Sequence, residues 1–179
     1  GCMSTWSERR AAFRRLHESG CFGIPNPWDA GSARFLQSLG FPALATTSGG
    51  ASFSAARPDG GLSASAMLAH IAALTASAEI PMNADFEDGY APDAAGVAEN
   101  VRLCLETGVA GLSIEAATGD ANQPLYPLDT AIERLRAARR AIDAAGADVL
   151  LTGRAECFLA GVTNPLEESL RRLRAYRDA

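Results

Sequence analysis

Groups that build metal clusters of the zinc type are scarce in this chain. It has two histidines, His17 and His70, and four cysteines, Cys2, Cys21, Cys104 and Cys157, with no CxxC or Cys/His spacing. That pattern excludes a zinc finger or a thiol redox pair. No run of about 18 consecutive apolar residues is present, so no segment reads as a membrane span and no membrane partner is expected. The start carries no charged leader followed by an apolar stretch, so the thiols are expected to be reduced and the location cytoplasmic. Basic residues are the minority, 16 against 21 acidic ones, for a net charge of -5. Without a basic stripe to neutralise phosphates, nucleic acid is not expected as a partner. Disorder is excluded by composition, since 47% of the 179 residues are hydrophobic and 21% charged. One globular domain over 1–179 is expected, with 1–5 as a disordered or cloning-derived N-terminus because Gly1 and Cys2 precede Met3.

Short apolar runs alternate with longer amphipathic stretches along the chain. The runs lie at 21–25, 43–47, 80–85, 110–115 and 149–154, and helical patterns fill 6–19, 30–39, 64–77, 93–107, 128–145 and 165–176. In the fifth helical stretch Ile132, Leu135, Ala138 and Ile142 share a face, which places Arg134, Arg136 and Arg140 on the wet one. Arg171, Arg172 and Arg174 read the same way in the last stretch. Gly40, Gly108 and Gly146 close three of these helices shortly before a strand, as αβ turns of one design. The expectation is repeated βα architecture with a parallel sheet.

Polar residues gather just after the apolar runs, at Asn26 and Asp29, at 48–59, at 85–88, at 115–120 and at Arg154 and Glu156. Five strand ends delivering polar groups to one rim favour a (β/α)8 TIM-type barrel over a doubly wound sheet, in which one switch point is catalytic. A unit of about 32 residues repeated eight times needs about 250 residues. The 179 residues therefore hold about the first five βα units, and the expectation is a barrel shortened at its C-terminal side.

The segment Asn83-Ala84-Asp85-Phe86-Glu87-Asp88-Gly89-Tyr90 concentrates three carboxylates in four positions. Like charges this close raise one another's pKa unless a cation joins them. Asp85 and Glu87 share a side of an extended strand, and hard oxygen ligands suit Mg2+. The alternative is a solvated loop in which Asp88 and Asp93 cap backbone groups. Glu115, after a buried apolar run, needs a metal or a partner such as Arg154. Asp59 lies in a loop of small residues. One cation could gather all four. Cys157 and His70 read as packing residues.

Five segments resemble the isocitrate lyase/phosphoenolpyruvate mutase superfamily, in order and at five successive strand ends. They are Pro25-Asn26-Pro27-Trp28-Asp29-Ala30-Gly31-Ser32-Ala33, Thr46-Thr47-Ser48-Gly49-Gly50, Asn83 to Tyr90, Ser113-Ile114-Glu115 and Gly153-Arg154-Ala155-Glu156. The resemblance implies a β/α barrel, Mg2+ with Mn2+ as a substitute, and C–C or P–C bond chemistry on small 2-oxo acids. By the same resemblance Asp85 is the direct metal ligand, Glu87 takes the second acidic position, and Asp59 and Glu115 act largely through water. Ser48, Gly49 and Gly50 would hold the substrate carboxylate and oxo oxygen, Arg154 would face the substrate oxygens, and Trp28 and Asp29 would lie near the pocket. Ser48 and Arg154 are thereby the catalytic candidates.

The region from Glu115 to Pro124 has no cysteine or histidine, where lyase members carry a Lys-Arg-Cys-Gly-His type loop. The expected activity is therefore a Mg2+-dependent lyase of the oxaloacetate decarboxylase kind, acting through a pyruvate-enolate-like intermediate. Alternatives are a phosphonopyruvate hydrolase or phosphoenolpyruvate mutase type of activity, and a catalytically incomplete partial barrel that self-associates. The superfamily also implies a homo-oligomer.

Overall fold

In the computed structural model, which describes residues 4–179, four parallel strands line up in sequence order. They are β1 (Leu44–Ala45), β2 (Met82–Asp85), β3 (Gly111–Glu115) and β4 (Leu150–Arg154). The helices are α1 (Trp6–Leu16), α2 (Ala30–Ser38), α3 (Ser48–Ser54), α4 (Ala64–Ser77), α5 (Ala94–Leu105), α6 (Leu128–Ala144) and α7 (Pro165–Arg177). Among the described residues strand order never reverses and there is no switch point, so the sheet is an arc of a β/α barrel rather than part of a doubly wound sheet. No helix among the described residues is long and apolar enough to cross a membrane.

The register sorts side chains by alternation. Asn83 pairs with Gly111 and Asp85 with Ser113, while Ser113 pairs with Thr152 and Glu115 with Arg154. Neighbours in a register point to one face. This face is the polar, concave one; Asn83, Asp85, Ser113, Thr152 and Arg154 line a groove of about 430 Å3 there. The alternate residues Ala84, Leu112 and Ile114 pack outward against Met67, Ile71, Val97, Val101 and Ile142 of the helices. Water is excluded from the convex side, and the chemistry is left on the concave side.

Helix ends follow local chemistry. Thr5 and Glu8 form a capping box at α1, and Asp29 and Ser32 do so at α2. Residues 1–3 of the expected disordered N-terminus lie outside the described residues, whereas Thr5 is this cap and Ser4 Oγ donates to Glu79 O at 2.6 Å. Helix α1 runs beneath the sheet and ties down three αβ joints in turn. Arg9 donates to Thr75 O at 3.1 Å, in the last turn of α4. Arg10 donates to Leu105 O at 3.1 Å and to Val109 O at 3.0 Å, at the end of α5. Arg14 pairs with Asp148 ahead of β4. Cations at helix C-termini complement the carbonyl charge there.

The structure corrects the sequence reading at three places. The run at 21–25 is not a strand. It lies beside β1, but only Ala45 N–H to Pro25 O at 3.0 Å and Asn26 Nδ2 to Ala45 O at 3.0 Å join them. Pro25 and Pro27 have no N–H to donate, so a ladder cannot propagate. Residues 48–54, outside every helical pattern read from the sequence, form the short helix α3, whose N-cap Thr47 accepts from Gly50 N–H. Arg134 and Arg172 are not on wet faces; they are 2% and 6% exposed.

Candidate active site

The C-terminal ends of β1 to β4 converge on Asp85. Its backbone N–H donates to Thr46 Oγ1 at 3.0 Å, which fixes the strand end. Oδ2 accepts from both the backbone N–H and the Oγ of Ser48, each at 2.8 Å. Oδ1 faces Arg154 Nη1 at 3.1 Å. The same Nη1 lies 3.0 Å from Glu115 Oε2, and Nη2 lies 2.8 Å from Glu156 Oε1. One guanidinium thus bridges three carboxylates, from β2, from β3 and from the turn after its own strand β4. Glu156, absent from the expected site, is held there with φ of 59°. Its sequence signals were its place among the polar residues of the rim and in the segment Gly153-Arg154-Ala155-Glu156.

Glu87 follows Asp85 on a turn of unusual backbone. Glu87, Gly89 and Tyr90 have φ of 45°, 91° and 55°. For the two residues with a Cβ this conformation costs about 1–3 kcal/mol each. The surroundings hold it in place. Glu115 N–H donates to Glu87 O at 2.8 Å, and Asn100 Nδ2 donates to Gly89 O and Tyr90 O at 2.9 and 3.1 Å. Asp88 turns away from the cleft centre, accepting from Tyr90 N–H at 3.0 Å and from Tyr126 Oη at 2.7 Å. The backbone-capping alternative therefore describes Asp88, and also Asp93, which caps α5.

The result is a cleft of about 680 Å3 whose wall includes Ser48, Gly49, Asp59, Asp85, Glu87, Glu115, Arg154 and Glu156, with residues 117–121 opposite. Burial, then the charges of Asp85, Asp59 and Asp88, push the Glu87 carboxyl up to about 7. Burial also pushes Glu115 up to about 7, assisted by Asp85, Glu156 and Glu87 and opposed by Arg154. Burial disfavours the charged form of Arg154, but Glu115, Asp85 and Glu156 together hold its pKa above the usual value. Negative charge exceeds positive charge in the cleft, and one arginine does not balance it.

Several candidates do not enter the wall. Asp29 is occupied as the α2 cap, accepting from Ser32 N–H at 2.7 Å. Trp28 leans on α3, 6.1 Å from Phe53 between ring centres. A Cβ at Gly50 would sit 2.5 Å from Trp28 Nε1, so glycine lets the indole cover the helix. Trp28, Asp29 and Gly50 are not among the residues that line the cleft. Cys157 is buried and Sγ-linked only to Ala155 O, as a packing cysteine.

The donor set can be tested against a divalent cation. Among the described residues, no three carboxylate, imidazole or thiolate groups close on one point at ligand distance. A cage of protein ligands is therefore not offered. Mg2+ rarely uses one; it keeps several waters and takes one or two carboxylates. Hard oxygen donors, excess negative charge and a roomy cleft fit that habit.

Comparison with known proteins places residues 13–179 within the family model described as phosphoenolpyruvate phosphomutase. A putative lyase/mutase from Burkholderia cenocepacia J2315 is 46% identical, with a TM-score of 0.92 over 97% of this chain and 62% of that one. 2,3-Dimethylmalate lyase, a phosphoenolpyruvate mutase/isocitrate lyase superfamily member, is 30% identical, with a TM-score of 0.84 over 99% and 61%. Phosphonopyruvate hydrolase, solved with oxalate and Mg2+, is 26% identical, with a TM-score of 0.85 over 98% and 60%. The chain spans about three fifths of the length of each of these structures.

Proposed function

Because the chain belongs to the phosphoenolpyruvate mutase/isocitrate lyase superfamily, we propose that it carries the metal and oxyanion half of a Mg2+-dependent lyase. The substrate class is a small 2-oxo acid, cleaved at a C–C bond next to its carbonyl, as in oxaloacetate decarboxylation. The observation that carries this reading is Arg154 sitting among Asp85, Glu115 and Glu156 at the rim. A planar guanidinium in that place can swing its fork onto a carboxylate or enolate oxygen.

Mg2+ would supply Lewis-acid stabilisation of the negative charge that develops when the bond breaks. Asp85 would hold it, with Ser48 fixing the Asp85 carboxylate by two hydrogen bonds. Glu87 and Glu115, poised near neutrality, can keep or release a proton with small changes of surrounding charge. Arg154 orients the substrate oxygens and loses part of its own carboxylate pairing as it does so. The 179 residues contain no lysine, so they offer no imine route to the same enolate, and stabilisation rests on cations.

Phosphonopyruvate hydrolysis is the second reading, favoured by the 26% identity to that hydrolase. A panel of 2-oxo acids and phosphonopyruvate, assayed with and without Mg2+ beside an Asp85→Ala variant, separates them. Mg2+-dependent pyruvate release from oxaloacetate, lost in the variant, is the expected result. Turnover that ignores both Mg2+ and Asp85 would reject the proposal.

A further inference from the structure

Arg134 projects from α6 into the protein and is buried, with its side chain 3% exposed. A guanidinium leaves water only at considerable cost, and its contacts should then be complete. They are not. Nη2 donates to the backbone carbonyls of Asp88 and Ala91, each at 2.7 Å, and lies 3.4 Å from Asp88 Oδ2, while Nε has no partner. The guanidinium carbon lies 4.3 Å from the ring centre of Tyr126. Replacing this set by apolar side chains would be the simpler way to fill a core, so its value lies in what it holds.

What it holds is two pieces of the cleft. One is the strained turn 87–91 that presents Glu87. The other is the loop 117–124, which walls the opposite side and hangs from the bridge of Ala117 with Leu125. Tyr126 stands at the base of that loop, its N–H on Ala116 O at 2.9 Å and its Oη on Asp88 Oδ2 at 2.7 Å. The phenol, the Asp88 carboxylate and the guanidinium form one closed cluster between turn and loop.

We propose that Arg134 is a positioning residue: with Tyr126 it locks the Glu87 turn to the 117–124 loop, so that cation binding on the turn is felt by the cleft wall. The second half rests on the cation reading of the site given above. The loop itself carries none of the four carboxylates assigned to the cation, and the cluster is the side-chain link that ties it to the turn presenting Glu87. Arg134 shapes the site without touching substrate or metal.

The test is hydrogen exchange on the full chain, read over 86–91 and 117–126 in wild type, Arg134→Met, Arg134→Lys and Tyr126→Phe, with and without Mn2+. Arg134→Met should speed exchange at least tenfold in both segments while β4 is unchanged, and Arg134→Lys should fall between. Tyr126→Phe removes one hydroxyl and serves if Arg134→Met does not fold; it should loosen 117–126. Mn2+ should slow both segments in wild type, and the slowing at 117–126 should vanish in Tyr126→Phe. Wild-type exchange in the variants would overturn the lock. Mn2+ protection confined to 86–91 would overturn the coupling. If Mn2+ protects neither segment and gives no binding heat in wild type, the coupling and the cation reading both fall, while the lock is still decided by the metal-free variants.

Discussion

Replacing Glu87 by glutamine should stabilise the metal-free protein by an amount that grows as pH rises from about 4.5 to about 7 and is constant above that. Burial and three neighbouring carboxylates raise the Glu87 carboxyl from 4.5 to about 7. In the unfolded chain it loses its proton near 4.5, whereas in the fold it keeps it to about 7. Stability from this group is therefore complete below the unfolded value and is lost as pH rises through the folded one. At about 1.4 kcal/mol per pH unit the full loss is at most about 3 kcal/mol. The group is only partly buried, and solvent screening reduces this to about 1–2 kcal/mol. Glutamine has the same shape and no charge to desolvate, so it matches the protonated wild type. Thermal unfolding of both proteins in chelator should coincide near pH 5 and diverge by pH 8, where Glu87→Gln melts about 3–6 °C higher for a chain of this size. Exposed Glu79→Gln serves as control. A melting difference that is constant with pH, or a variant that melts lower at pH 8, would refute the account of the cleft charge.

Arg154→Ala removes the counter-charge of Asp85, Glu115 and Glu156 together. Turnover should fall by about 10²–10³ where a charged donor to the developing anion is lost, measured as kcat on the substrate the panel identifies, and the Glu115 carboxyl should titrate still higher by carbon-detected NMR. Gly111→Ala tests the concave face: its Cβ would meet Asn83 Oδ1 at 2.5 Å and the buried Phe13 Cε2 at 2.6 Å. Overpacking of that kind should cost about 1–3 kcal/mol, read as a lowered denaturation midpoint with an unchanged slope.

The pattern of the sequence reaches a long way here. Helix α4 spans the predicted 64–77, and the apolar runs ending at Asp85, Glu115 and Arg154 end at the same residues as β2, β3 and β4. Periodicity succeeds there because each element buries one face against a continuous core. It fails for Arg134, since a one-dimensional amphipathic pattern assigns any arginine to water and cannot register a tyrosine and two carbonyls arriving from other segments. Helix α3 was hidden for the opposite reason. Ser48, Gly49 and Gly50 have poor intrinsic preference for a helix, and the Thr47 cap together with the Asp85 carboxylate supplies what propensity lacks. Of the carboxylates in 85–88, charge alone could not separate Asp88 from the other two, because its distinction is a phenol contributed 38 residues later.

Arg9, Arg10 and Arg14 of α1 bear on the order in which the protein comes together. Their partners lie 66, 95 to 99 and 134 residues further along the chain. During synthesis α1 leaves the ribosome well before its last anchor, Asp148, which emerges only after α6 is complete. Closing contacts across such separations is slow, because loop entropy is lost before any contact rewards it. Helix α1 is thus made early and docked late, as a clasp fastened over βα units that have already paired.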